Sequence, residues 1–143
     1  MFFDKAKFAY FEINILERQG AEKDYTSEIL AQVEALKKTI TKSDNDNLID
    51  SIIVKTQGFV NGNIKEGDQN PVAIFKSLLA LYEGIYKDKL RENMKYFLEK
   101  IMPVCEEWNI QMCVHPDDPP FALLGLPRII TNEEDIDWFF KSS

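Results

Sequence analysis

Ile110-Gln111-Met112-Cys113-Val114-His115-Pro116-Asp117-Asp118-Pro119-Pro120 is the stretch on which the reading of this chain turns. Its first five residues are a short, almost unbroken apolar run. They follow a long helical pattern and precede a proline-dense loop, which predicts a strand over 110–114 buried on both faces, as in a parallel sheet. His115 stands at the carboxyl end of that strand. In parallel α/β folds, ligands and catalytic groups gather at that end. Each proline fixes its own φ and restricts the residue before it, so the loop after His115 is stiff.

Upstream, helical periodicity dominates. Asp4 is placed to cap a helix running to about Arg18, with Phe8, Phe11 and Ile15 on one face. Thr26 and Ser27 are candidate caps for a second helix with an Ile29, Leu30, Val33, Leu36, Ile40 stripe. Ser43 and Asp44 can open a third, carrying Leu48, Ile49, Ile52 and Ile53. Residues 58–70 read as a loop, with Asn61-Gly62 as a turn signal. Asn70-Pro71 then fits a cap followed by proline in the first helical position. That helix is expected to end near Gly84.

A long helix is expected over about 88–108, with Pro103 inside it and Asn109 as its stop. After the loop, Thr131 and Glu134 have capping-box spacing ahead of a last helix carrying Ile136, Phe139 and Phe140. The chain thus divides into a helical region, 1–85, without a catalytic signature, and a helix–strand–loop–helix region, 86–143. The fold class expected is α-rich α/β with few strands. One strand without neighbours is an edge hazard, so it needs strands from a larger protein or from a second copy.

Composition narrows the function. The 143 residues carry a formal net charge of −7 and are 45% hydrophobic. That balance builds a core but offers no basic patch for nucleic acid or for an anionic membrane surface. Cys105 and Cys113 form no Cys-x-x-Cys pair and are expected to be buried, reduced thiols, which suits a cytoplasmic protein.

His115 has two readings. Imidazole is a common ligand for first-row metals, and Asp117 and Asp118 could orient it or bind substrate hydroxyls. Equally, a histidine at a strand end can be structural, bonded to backbone, and the two aspartates can be turn residues. Arg128 is either a surface charge or a clamp for a substrate carboxylate. With no second histidine in the chain, the usual ligand counts cannot be met by these residues alone.

Met112-Cys-Val-His115-Pro-Asp-Asp-Pro-Pro120 and Leu124-Gly-Leu-Pro-Arg-Ile-Ile130 together resemble the mannonate dehydratase family. Lys89-Leu-Arg-Glu-Asn93 resembles the helix before that strand, and Phe8-Ala-Tyr-Phe-Glu12 with Asp24-Tyr-Thr26 resembles the family's helical insertion. Phe121-Ala122 departs from the Arg-Pro found there in many members.

The resemblance implies a partial (β/α)8 TIM-barrel segment of the xylose isomerase type with a helical insertion. It implies dehydration of D-mannonate to 2-keto-3-deoxy-D-gluconate and water, in hexuronate (glucuronate) catabolism. A divalent metal, Mn2+ or else Fe2+, would be held by two histidines, a cysteine and an aspartate, of which only His115 has a counterpart here. Asp117, Asp118 and Arg128 would bind substrate or support His115. A TIM barrel needs roughly 200 residues or more, so the isolated chain is expected to be inactive and not to hold the metal stably. The implied partners are a sugar acid and other copies of the same protein. The competing reading is a non-catalytic helical module that self-associates through its apolar faces.

Overall fold

The computed structural model describes residues 3–55, 64 and 67–142. The chain divides into two compact units, residues 1–83 and residues 84–143.

In the first unit, α1 (Lys5–Tyr10) begins where Asp4 Oδ1 accepts the amides of Ala6 and Lys7 at 3.1 and 3.0 Å. This is the expected cap. The helix then widens into a π-helical turn over Phe11–Ile15, in which the Leu16 amide reaches back to the Phe11 carbonyl at 2.8 Å. Glu17, at φ +51°, stops it. A short 3-10 turn, Ala21–Asp24, leads to α2 (Ser27–Thr39), whose first turn is capped by the Thr26 hydroxyl. Ala9 and Tyr10 pack on Val33, with Ile29, Leu36 and Ile40 around them, so the apolar stripe of α2 covers α1.

Next, α3 (Lys42–Ile49) starts one residue earlier than expected. Thr41 and Asp44 form a full capping box, each side chain taking the other's backbone amide. A second π-helical turn, Asp50–Lys55, buries Ile53. The expected Asn61-Gly62 turn lies outside the described residues. Further on, α4 (Pro71–Ala80) opens as expected: Asn70 adopts φ +59° and its side chain accepts the Ala73 amide.

In the second unit, α5 (Lys87–Glu107) contains Pro103 and ends at Trp108. Asn109 takes φ +52° as the left-handed residue beyond the cap. Its amide reaches the Glu106 carbonyl, and the Ile110 amide reaches that of Cys105 at 2.8 Å. The two bonds make a Schellman turn, so Asn109 is the stop read from the sequence.

The strand expected over 110–114 does not form. The segment has no ladder, and the pairing among the described residues is a single bridge between Leu123 and Leu126. Nor is the segment buried: Ile110 and Met112 are 55% and 47% exposed. The apolar run meets the local requirement for a strand, but a strand also needs neighbours to bond its backbone, and the described residues supply none. The described residues are therefore helix-rich and almost without strand, which fits part of an α/β protein.

The chain folds back through a turn at Leu124 and Gly125, both at positive φ, and buries Leu123, Leu124, Ile129 and Ile130. Finally, α6 (Glu133–Ser142) corrects the expected Thr131–Glu134 cap. Asn132 is the capping residue, accepting the Asp135 amide at 2.9 Å, and Asp135 reaches back to Thr131. No described helix is long and apolar enough to cross a membrane.

Candidate functional site

The loop after α5 gathers the four residues singled out in the sequence. His115 is exposed. Its Nδ1 lies 2.7 Å from the Pro116 carbonyl oxygen. A carbonyl only accepts, so Nδ1–H donates, and in the neutral ring Nε2 keeps its lone pair facing away from the backbone bond. Backbone orientation of one nitrogen is the usual way to present the other to a metal. His115 therefore fits a single ligand position. The other members of a metal site are not supplied, because the described residues hold no group of three His, Cys, Asp or Glu able to surround an ion.

Asp117 closes the loop. Its Oδ2 accepts the amides of Ile129 and Ile130 at 3.0 and 2.8 Å, and its own amide donates to the Ile130 carbonyl at 2.8 Å. Arg128 adds a contact to Oδ1 at 3.3 Å. The carboxylate thus joins both ends of a loop of more than ten residues and sets where His115 leaves it. Asp117 and Arg128 meet each other; neither has a bond to His115. Asp118, in a cis bond to Pro119, is exposed and points its carboxylate at no described partner.

Two buried carboxylates escaped the sequence reading. Asp135 is fully buried, with Oδ1 taken at 2.6 Å by both Lys87 and Arg91 of α5. Oδ2 takes the Thr131 amide and hydroxyl at 3.0 and 2.7 Å. Burial alone would raise its pKa; the Lys87 and Thr131 hydrogen bonds outweigh that and hold it well below the usual carboxylate range. The Arg91 guanidinium also lies 4.7 Å over the Trp138 ring. Asp135 thereby ties the end of the His115 loop, and α6, to the first turns of α5.

In the first unit, buried Glu12 receives both Nε and a terminal nitrogen of Arg18 at 3.3 Å, and Tyr25 donates its hydroxyl to the same carboxylate. Arg18 also reaches Asp24. Burial first, then the bond to Glu12, pushes the Tyr25 phenol far above its ordinary pKa. Glu12 could have been flagged by its position between Phe11 and Ile13. Asp135 carried no such signal within the acidic run 133–135.

The sequence profile of the D-mannonate dehydratase (UxuA) family matches residues 1–143. A mannonate dehydratase of Marinomonas sp. (strain MWYL1) is 40% identical over 136 residues, covering 95% of this chain and 33% of that protein. A mannonate dehydratase of Chromohalobacter salexigens is 36% identical over 141 residues, 99% of this chain and 34% of that protein. The chain spans about a third of the length of these curated relatives. The match runs through both buried carboxylate clusters and the His115 loop alike, and the chain belongs to the D-mannonate dehydratase family.

Proposed function

We propose that this chain works as one part of a mannonate dehydratase that converts D-mannonate to 2-keto-3-deoxy-D-gluconate and water. The observation that carries the reading is the family match across residues 1–143, with the His115 loop inside it. Dehydrating a sugar acid removes a weakly acidic proton beside a carboxylate and expels a hydroxyl, so it asks for acid–base groups in fixed positions. In this reading the TIM-barrel frame is completed by residues beyond these 143.

His115, through Nε2, would supply one ligand to a Mn2+ or Fe2+ ion that would stabilise the developing charge beside the carboxylate and assist the leaving hydroxyl; its other ligands would lie outside the chain. Asp117 holds the loop, its oxygens already engaged by the Ile129 and Ile130 amides and Arg128. That leaves Asp118 as the carboxylate free to meet a substrate hydroxyl. Arg128, 3.3 Å from Asp117, is the cation assigned to the substrate carboxylate. In this reading the isolated chain is inactive, because the remaining ligands belong to other parts of the enzyme.

The test is a chimera in which this chain replaces the matching 136 residues of the Marinomonas relative. Incubated with D-mannonate and Mn2+, it should release the 2-keto-3-deoxy product. His115→Ala should cut that rate by at least about 100-fold, since even residues that only orient a ligand are worth 10- to 100-fold. A well-folded chimera that makes no product, or a His115→Ala form with full rate, would sink the proposal.

A further inference from the structure

One face of α5 is apolar yet left open by its own unit. Phe97, Ile101, Val104 and Trp108 follow one another at intervals of four, three and four residues. That is the spacing of a helix–helix seam, in which an apolar row stays turned toward one neighbouring helix. Phe97, Val104 and Trp108 are 49%, 46% and 70% exposed, and Ile101 is half-buried. Along one border of the row, Leu98 and Cys105 are buried in the unit's own core. Along the other border stand Lys100 and Glu107, both exposed, each one position before an apolar member of the row. Lys100 lies 5.4 Å over the Tyr96 ring. An exposed apolar row that includes phenylalanine and tryptophan has the composition of a contact surface rather than of a solvated face.

The two border charges decide which helix fits the row. They are opposite in sign and seven residues apart, so they share one side of the helix. Set two α5 helices antiparallel about a twofold axis close to Pro103. Phe97 of one copy then lies opposite Trp108 of the other, and Ile101 opposite Val104. Lys100 comes beside Glu107, and the symmetry repeats every contact. In a parallel pair each border charge would instead face the Leu98 and Cys105 border of the other copy and find no opposite charge there. We propose that the Phe97–Trp108 face of α5 is the contact surface for a second copy of this chain, bound antiparallel. The row is roughly 18 Å long, which makes a small interface and a reversible dimer. The pairing does not depend on the reaction assigned above.

Sedimentation equilibrium of the 143-residue chain tests it. The chain should pass from monomer to dimer as its concentration rises, with no larger species. Val104→Asp puts a charge at the centre of the row and should abolish the dimer; because Val104 is exposed, helicity by circular dichroism should not change. The charge exchange is the sharper arm. Lys100→Glu alone, or Glu107→Lys alone, sets like charges together twice in each dimer and should raise the dissociation constant about tenfold. Lys100→Glu combined with Glu107→Lys should bring it back to within about twofold of the unchanged chain, since the exchanged pair is again self-complementary. A chain that stays monomeric to about 1 mM overturns the proposal. So does a dimer that survives Val104→Asp, or a double exchange no better than the single ones, because the copies would then meet through another surface. The same variants in the chimera separate the remaining occupant. An assembled chimera that ignores all of them would have a helix of its own remaining polypeptide on the row, which also defeats the proposal, whereas the same pattern of loss and rescue supports it. Should the chimera not fold, the loss and rescue in the isolated chain decide.

Discussion

Replacing Asp135 by Asn tests whether one buried carboxylate holds α6 and the His115 loop against α5. The substitution keeps the shape of the side chain and removes the charge that Lys87 and Arg91 both approach at 2.6 Å. Breaking a buried pair from one side typically costs 3–5 kcal/mol. The partners here are unequal. Arg91 is 20% exposed and cannot fully rehydrate, whereas Lys87 is 43% exposed and can. Screening of the Lys87 contact lowers the expected loss to about 2–3 kcal/mol. Both tryptophans of the chain, Trp108 and Trp138, lie in the second unit, so their fluorescence during urea unfolding reports that unit alone. With a slope near 1 kcal/mol/M, the midpoint should fall by about 2–3 M. The sign of the pH dependence follows from the lowered pKa of Asp135. A depressed carboxylate contributes its full stabilisation above its unfolded pKa of about 3.9 and loses it as pH falls from there toward the folded value. The gap between native chain and variant should therefore be constant from pH 7 to 5 and narrower by about 1 kcal/mol at pH 3. A loss below about 0.5 kcal/mol at pH 7, or the same loss at pH 7 and pH 3, would show that the carboxylate is not the tie.

Asp117 and Asp118 should behave as opposites. Asp117→Ala deprives the Ile129 and Ile130 amides of a charged acceptor and should lower the stability of the second unit by about 2 kcal/mol in the same urea assay. Asp118→Ala should stay within about 0.5 kcal/mol, and a comparable loss from both would refute the division of roles. The cysteines should also separate: Cys113 is exposed and Cys105 buried, correcting the expectation that both are hidden. Ellman's reagent should label Cys113 at once in the folded chain and Cys105 only on unfolding, with Cys113→Ser removing the fast phase.

What the sequence makes legible is what neighbouring residues decide among themselves. Asp4, Thr26 and Asn70-Pro71 cap helices where expected, because a cap needs only its own side chain and an amide two or three residues on. Asn109 ends α5 just as locally, through its own left-handed backbone and the two backbone bonds beside it. The errors begin where two local solutions compete. Thr131–Glu134 and Asn132–Asp135 both have capping spacing, and the second wins because Asp135 also meets Lys87 and Arg91, more than forty residues away in sequence. The strand over 110–114 fails for the strongest version of this cause. Its side-chain pattern is local, but its stability lies wholly in partners along its edges.

The same distinction separates the two halves of the His115 loop. The sequence reading takes His115 as the ligand candidate and gives Asp117 and Asp118 the same alternative roles. The geometry divides them. Asp117 spends its acceptors on amides and a guanidinium brought back from 128–130, so its conservative replacement, Asp117→Asn, should still accept one amide and keep part of the loop's stability. His115 spends one nitrogen on the neighbouring carbonyl and keeps the other. Only a group that retains unused bonding capacity can act on something outside its own loop. By that criterion His115 and Asp118 are the outward-facing members, and Asp117 is the member that makes their positions reproducible. Loss of Asp117 should therefore reach His115 indirectly, by widening the range of positions that its Nε2 takes up.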